Sequence, residues 1–457
     1  MRPGHLILAL VTALFAVTAC SAGSDGPDPI SGQWHGTIEV PGSPLEIGVH
    51  FTGSDSATID IPVQGLNGVE LGEVRTDPAD VGFVLPDIPG DPTFKGALDE
   101  ATGRIGGEFT QMGQSFPLTL EEGPTAPLAR PQEPQPPFPY RAEDVSYTNG
   151  DLDIAGTLTL PEGEGPFPAV VLITGSGAQT RDEELFGHKP FLLIADTLTR
   201  AGYAVLRTDD RGVGGTGGDL NTSSYDDLAS DVEAGIDFLR GRADIDPARI
   251  GLFGHSEGGY LAPLVAARPD SGVAFAVLMA GPSVDGGAVL IEQSRLILAA
   301  SGTPPEQIDA QVAQTTEMVG LLRAGDLDGA RAVYERSLAD LPEEARESAA
   351  QAGSPITPYY ASFVNYDPAP ALSALRIPVL AFFGGKDLQV PAAQNEQPAR
   401  DLLTGTDATV HVFPEANHLM QPANTGNLDE YATIETTVDP QVLAFVTDWL
   451  AGRVPPK

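Results

Sequence analysis

One pentapeptide, Gly-His-Ser-Glu-Gly at residues 254–258, constrains the fold of this chain more than any other feature. The apolar run before it, residues 249–253, is typical of a short buried strand, and residues 259–267 are typical of the first turns of a helix. A turn between two such elements is so tight that side chains around the serine would clash, which explains the two glycines. The pattern therefore predicts that the Ser256 hydroxyl stands at the carboxyl edge of a sheet as a nucleophile.

A serine nucleophile needs a base, and an acid that orients the base. Asp387 follows a buried strand-like run at residues 377–383 and a Gly-Gly turn, and His418 lies in a loop just after a later strand. Both side chains are therefore expected at the same sheet edge as Ser256. We predict the triad Ser256–Asp387–His418, whose chain order differs from those of other serine hydrolase folds. Asp367 is the alternative acid, although its Tyr-Asp-Pro context favours a helix-capping turn.

With these motifs, residues 143–452 resemble the α/β-hydrolase superfamily, in particular its bacterial serine esterases. The resemblance also rests on three short segments: Thr-Gly-Ser-Gly at 174–177, Asp-Asp-Arg-Gly at 209–212 and Asn-His-Leu at 417–419. It implies a mostly parallel central sheet with flanking helices. It also implies that residues 174–177 form the oxyanion loop, with threonine where the family carries histidine, and that the backbone N–H groups of Ser176 and Glu257 bind the oxyanion. An ordinary glycine-rich turn is the alternative for this loop.

Residues 281–376 separate two predicted strands and are far longer than a crossover requires. Helical spacing of apolar residues at 306–323 and 327–341 predicts a helical cap at about residues 283–371, which resembles the cap of many α/β-hydrolases. A surface excursion without a role in substrate binding is the alternative. Tyr359 and Tyr360 are candidate substrate-pocket residues, because nearby prolines restrict the loop and phenol rings offer apolar faces with polar tips.

The chain before the predicted hydrolase divides into four segments. Residues 1–20 combine a basic start, an apolar run too short to span a bilayer, and Cys20, the single cysteine. They resemble a bacterial lipoprotein signal, which implies a lipid on Cys20; an ordinary secretory leader is the alternative. Residues 21–30 are predicted to be a tether, residues 31–122 a small all-β barrel or sandwich of seven or eight strands, and residues 123–142 a proline-rich linker.

Composition narrows the range of partners. The chain has 63 acidic and 25 basic residues and a formal charge of −38, which disfavours nucleic acid, anionic lipid surfaces and strongly anionic substrates. A solvated acidic surface is the simplest interpretation. The sequence contains no Cys/His cluster for zinc, and the Gly-x-Gly-x-x-Gly run at 212–217 leads into a polar loop instead of a helix. No metal, nucleotide or other cofactor is expected.

These observations predict an exported serine hydrolase, tethered by Cys20 to the outer face of a bacterial cell membrane, that cleaves small-molecule carboxylic esters through an acyl-enzyme intermediate. A small aminopeptidase or amidase of the same fold is one alternative, in which Glu292 or Glu306 of the cap would hold an amine. A non-catalytic binding lipoprotein is the other, because one fold can serve many functions.

Overall fold

The computed structural model of the protein describes residues 30–40, 45–62, 66–86, 88, 92–111, 113–124, 129–338 and 354–456. The predicted signal segment, Cys20 and the tether as far as residue 29 lie outside the described residues. The chain divides into two units, the first comprising residues 1–128 and 337–354 and the second residues 129–336 and 355–457. Within the described part, no helix is both long and apolar enough to cross a membrane.

Nine described strands of the first unit form one antiparallel sheet. They are β1 Gly32–Ile38, β2 Leu45–Gly53, β3 Ser56–Ile61, β4 Leu66–Glu70, β5 Gly72–Asp77, β6 Asp80–Val84, β7 Thr93–Asp99, β8 Arg104–Gln111 and β9 Gln114–Glu122. β1 pairs with both β2 and β9, so the first and last strands are neighbours and the sheet is barrel-like. The β architecture is as predicted, but the strand number is higher. Only Leu71 separates β4 from β5, so the sequence does not separate these two strands clearly.

The second unit is built on an eight-stranded sheet in the order β10-β11-β13-β12-β14-β15-β16-β17. The strands are β10 Arg141–Asn149, β11 Leu152–Leu160, β12 Phe167–Ile173, β13 Ala204–Thr208, β14 Ile245–His255, β15 Ala276–Met279, β16 Val379–Gly384 and β17 Ala408–Phe413. β10 and β11 form an antiparallel hairpin, and β11 is antiparallel to β13. The other six strands run parallel, so their carboxyl ends share one edge.

Helices cover both faces of this sheet. They are α1 Pro190–Arg200, α2 Tyr225–Arg240, α3 Gly258–Ala266, α9 Ala392–Leu402 and α10 Pro440–Arg453. Alternate residues of β12 serve two separate cores: Ala169, Val171 and Ile173 join the core of α2 and α3, whereas Val170 and Leu172 join that of α1 and α10. A strand buried on both faces is apolar throughout, as expected for a parallel sheet between helices. The three-layer α/β arrangement predicted from the sequence is confirmed.

Five further helices are described between β15 and β16. They are α4 Gly286–Ala300, α5 Pro305–Arg323, α6 Leu327–Leu338, α7 Pro358–Asn365 and α8 Ala369–Ala374. This insertion has a small apolar core of its own, which includes Val319, Leu322, Ala330 and Val364. Helix α7 begins at a proline after Thr357, whose side chain accepts a hydrogen bond from the backbone N–H of Tyr360. The insertion therefore carries its own packing and directs α7 through a defined cap.

Part of the predicted linker is bonded to the second unit. The Arg130 guanidinium donates to the carbonyl groups of Phe186 (3.0 Å) and Ala432 (2.8 Å). The Tyr140 hydroxyl donates to Asp196 of α1 at 2.9 Å. Through these contacts residues 130–140 belong to the second unit.

Candidate active site

Ser256 occupies the sharp turn between β14 and α3. Its φ is 53°, in the left-handed region that a non-glycine residue adopts only when its surroundings enforce it. A Cβ atom on Gly254 would overlap the carbonyl group of Gly258, and one on Gly258 would overlap the carbonyl group of Ile173. The two glycines thus allow strand and helix to meet closely enough to hold the Ser256 hydroxyl at the edge of the sheet.

The structure brings the three predicted triad residues together. His418 Nε2 lies 3.0 Å from Ser256 Oγ, and His418 Nδ1 lies 2.8 Å from Asp387 Oδ2. The other oxygen of Asp387 accepts the backbone N–H groups of Gln389 and Val390, both at 2.8 Å. Because an ionised carboxylate can only accept, His418 Nδ1 is the donor to Asp387 and Nε2 presents a lone pair to the serine hydroxyl. This is the arrangement that proton transfer from serine to histidine requires.

The alternative acid lies elsewhere. Asp367 is exposed, and its carboxylate accepts the backbone N–H of Ala369 at 3.0 Å. This contact is the capping turn that the Tyr-Asp-Pro context favours. The carboxylate that accepts the hydrogen bond of His418 Nδ1 is instead that of Asp387, which is almost completely buried.

Two backbone N–H groups near Ser256 are available to a ligand. On either side of Ser176, the N–H of Gly175 donates to Glu183 (2.6 Å) and that of Gly177 donates to the Tyr359 hydroxyl (2.9 Å). The N–H groups of Ser176 and Glu257 have no acceptor among the described residues. Glu257 also stands at the start of α3, where unpaired N–H groups and the helix dipole favour negative charge. This geometry suits both groups to the binding of an oxyanion.

The predicted oxyanion loop, residues 174–177, is fixed to the loop after β13. Thr174, at the place of the family's histidine, donates its hydroxyl proton to Asp210 at 2.9 Å, and the backbone N–H of Gln179 donates to the same carboxylate at 2.9 Å. Burial raises the pKa of Asp210 to about 8. Arg181 forms a 2.7 Å ion pair with the neighbouring Asp209. The Asp-Asp-Arg-Gly segment therefore anchors the start of the oxyanion loop.

The Glu257 side chain turns inward from the nucleophile turn. Its buried carboxylate accepts hydrogen bonds from the hydroxyls of Tyr225 (2.6 Å) and Tyr359. Burial raises the pKa of Glu257 to about 7, although the two tyrosine hydroxyls act in the opposite direction. Tyr359 thus joins helix α7 to Glu257 and to the residue after Ser176, because its hydroxyl also accepts the N–H of Gly177.

The two candidate pocket tyrosines lie in different surroundings. Tyr359 borders a cavity of about 60 Å³ whose wall also includes Gly175, Gly177 and Glu257. Tyr360 packs against the apolar core of the inserted helices. The structure therefore brings Tyr359, and not Tyr360, into contact with the oxyanion loop.

The two cap carboxylates considered as amine ligands lie on helices α4 and α5 of the insertion. Glu292 forms an ion pair with Arg295, three residues later in α4, and Glu306 is exposed in the first turn of α5. No group of three or more His, Cys, Asp or Glu side chains in the described part of the chain is arranged to hold a metal ion.

Comparison with known proteins gives matches over most of the second unit. Residues 170–426 match the alpha/beta hydrolase family, and this span includes the three predicted triad residues. Esterase EstD of Thermotoga maritima is 27% identical over 316 residues, which cover 68% of this chain and 70% of EstD. An uncharacterized protein of Mycobacterium tuberculosis is 36% identical over 126 residues, which cover 27% of this chain and 41% of that protein. The solved structure of the Pyrococcus furiosus esterase Pf2001 aligns with a TM-score of 0.45 and 15% identity, covering 71% of this chain and 97% of that one.

The two candidate acids can be separated by matched substitutions. Asp387→Asn should reduce turnover of a p-nitrophenyl ester by about 10⁴-fold, because an amide at this position favours the wrong imidazole tautomer. Asp367→Asn should leave turnover unchanged, since the capping turn survives with an amide oxygen. The measurement is the steady-state kinetics of both purified variants. The assignment of the acid would be reversed if Asp367→Asn were the impaired variant.

Tyr359→Phe should destabilise the protein by about 1–3 kcal/mol, because buried Glu257 and Gly177 each lose a hydrogen-bond partner. The loss should grow with pH. In the folded protein the pKa of Glu257 is about 7, above the ordinary value of a carboxyl group, so stability falls as pH rises from that ordinary value toward 7. Tyr359→Phe removes a hydroxyl donor and raises the pKa of Glu257 further, so the stability of the variant falls over a wider pH range. Urea unfolding at about pH 5 and about pH 8 measures the difference, with Tyr360→Phe as the control; an equal loss at both pH values would contradict this role of Glu257.

Proposed function

Given that the chain belongs to the alpha/beta hydrolase family, we propose that it is a serine hydrolase that cleaves small-molecule carboxylic esters through an acyl-enzyme intermediate. The observation that carries this proposal is the continuous contact from Ser256 Oγ to His418 Nε2 (3.0 Å) and from His418 Nδ1 to Asp387 (2.8 Å). The similarity to esterase EstD supports an ester, in preference to another acyl compound, as the substrate.

The reaction follows from the roles that these atoms can take. Ser256 Oγ attacks the ester carbonyl carbon as His418 Nε2 takes the hydroxyl proton, and Asp387 stabilises the resulting imidazolium. The negative charge on the former carbonyl oxygen is bound by the N–H groups of Ser176 and Glu257. His418 then protonates the departing alkoxide, which leaves as an alcohol. Water repeats these steps on the acyl-enzyme, releasing the carboxylic acid and restoring the serine hydroxyl.

The alternatives have less support. An aminopeptidase would need a free carboxylate near the nucleophile to bind the substrate amine, but Glu292 is already paired with Arg295 and Glu306 faces solvent. A non-catalytic binding protein would have no use for a hydrogen-bonded acid, base and hydroxyl at the end of one sheet. Ester hydrolysis therefore remains the function that the contacts favour.

The proposal is tested by Ser256→Ala with a panel of p-nitrophenyl esters beside aminoacyl-p-nitroanilides. The wild type should hydrolyse the esters faster than the anilides and react with a fluorophosphonate probe at Ser256. Ser256→Ala should lose both activities, with kcat lowered by about 10⁶-fold. Ser301→Ala, at an exposed serine bonded only to its own helix, is the control. Labelling of another serine, or anilides as the better substrates, would overturn the proposal.

The proposal extends to location: the chain is exported and tethered through a lipid on Cys20 to the outer face of a bacterial cell membrane. Its support is the sequence alone, in which a basic start and a short apolar run precede the single cysteine. A lipidated terminus would hold an otherwise independent enzyme at a membrane surface.

Cys20→Ser should release the protein from the membrane fraction or block its processing, since the lipid has no other cysteine to join. Ester hydrolysis per molecule should stay near that of the wild type. Fractionation of expressing bacteria, with mass spectrometry of the mature N-terminus, measures both effects. A soluble wild type with an unmodified N-terminus at another residue would refute the tether.

A further inference from the structure

A buried acid outside the triad contacts the oxyanion loop. Glu183 lies between β12 and α1, and its side chain is fully buried. Its Oε1 atom accepts the backbone N–H of Gly175 at 2.6 Å and lies 2.9 Å from His255 Nδ1. The other oxygen, Oε2, has no hydrogen-bond partner among the described residues, and Glu183 itself has a φ of 52°. A half-satisfied buried carboxylate in a strained backbone conformation is costly, and such costs concentrate at functional sites.

The partner of this acid directly precedes the nucleophile. His255 Nε2 lies 3.1 Å from the backbone carbonyl oxygen of His418, and the two imidazole rings are 4.9 Å apart. A carbonyl can only accept, so Nε2 carries a proton; Nδ1 faces a carboxylate and carries the second. Burial lowers the pKa of His255, but the charge and hydrogen bond of Glu183 outweigh it and the net pKa is raised. The contacts therefore describe a buried imidazolium–carboxylate pair.

The pair connects three separate loops. Its hydrogen bonds run from the oxyanion loop at Gly175 through Glu183 and His255 to the backbone of His418. Each of these loops carries one part of the proposed catalytic machinery, namely an oxyanion donor, the nucleophile and the base. The pair itself touches none of the reacting atoms.

We propose that Glu183 and His255 are positioning residues that fix the oxyanion loop, Ser256 and His418 relative to one another. The inference rests on the proposed serine hydrolase function and adds a second acid–histidine pair to it. A displacement of about 1 Å between catalytic groups can lower a rate by about 10²-fold, so a pair that joins all three loops affects turnover without contacting substrate.

Glu183→Gln separates positioning from bulk packing. The amide oxygen can still accept from Gly175 and from His255 Nδ1, and the side-chain volume is conserved. However, without the carboxylate charge the buried imidazole of His255 is expected to be neutral and to carry one proton, so it can no longer donate both to the side chain at position 183 and to the His418 carbonyl. If the pair were purely structural, Glu183→Gln would lower the stability of the protein, while the enzyme that remained folded would keep its rate. A positioning pair lowers kcat in the folded fraction and leaves KM unchanged.

The experiment compares wild type, Glu183→Gln and Glu183→Ala, with Asp99→Asn as the control. Asp99 also accepts a backbone N–H, that of Ala101 at 2.9 Å, but lies at the end of β7 in the first unit. Kinetics with a p-nitrophenyl ester and the rate of fluorophosphonate labelling of Ser256 are measured on protein shown to be folded by circular dichroism. We expect both rates to fall by about 10²-fold in Glu183→Ala, less in Glu183→Gln, and not in the control.

The readouts distinguish this inference from the function on which it rests. A wild type that is labelled at Ser256 but hydrolyses no ester would refute the ester function, and the labelling rates would still decide the role of the pair. Equal labelling of folded Glu183→Gln and wild type would overturn the positioning role, as would a wild type not labelled at Ser256. Low-field proton NMR provides a further check that leaves Glu183 and His255 unchanged. The wild-type spectrum should contain a hydrogen-bonded imidazole proton that survives Asp387→Asn, and the absence of this signal would overturn the pair.

Discussion

The close approach of three backbone segments at the nucleophile turn is the constraint on which the rest of the site depends. A Cβ atom on Gly258 would overlap the carbonyl groups of Ile173 and Thr174, and one on Gly259 would overlap Gly281 at the end of β15. Helix α3 therefore begins directly against the first residues of the oxyanion loop. The distance between nucleophile and oxyanion donors is consequently set by backbone contact, which packs more rigidly than long side chains would.

Three carboxylates, those of Asp210, Glu257 and Glu183, hold the proposed oxyanion loop directly or through Tyr359. A site proposed to bind an oxyanion should not be strongly negative, and the protonation states of these acids keep their net charge low. Burial raises the pKa of Asp210 to about 8 and that of Glu257 to about 7, so both are partly or fully neutral near pH 7. Glu183 is compensated by His255. The acids thus supply hydrogen-bond acceptors with little net charge. Because the folded protein keeps these protons to higher pH than the unfolded chain, its stability falls as pH rises from the ordinary carboxyl range toward 8.

Features set by periodicity and local turns could be predicted from the sequence, whereas contacts between distant loops could not. The apolar runs and the positions directly after them predict that Ser256, Asp387 and His418 share one sheet edge, because parallel strands bring their carboxyl ends together. Glu183 is 72 residues from His255, and nothing in the pattern around it indicates a partner. The hydrogen bonds of the Tyr359 hydroxyl to Gly177 and Glu257 likewise have no signal in the sequence around residue 359. Such contacts depend on the path of each loop, which no residue spacing determines.

The two variable positions of the Gly-x-Ser-x-Gly turn are as constrained in this protein as its fixed ones. A non-glycine residue at positive φ costs about 1–3 kcal/mol, so Ser256 keeps its conformation only if its neighbours are held from outside the turn. His255 is held on one side by Glu183 and the His418 carbonyl, and Glu257 on the other by Tyr225 and Tyr359. Both side chains are buried and both connect to loops that carry catalytic groups. The bonds that maintain the strained serine are therefore the same bonds that place the base and the oxyanion loop around it.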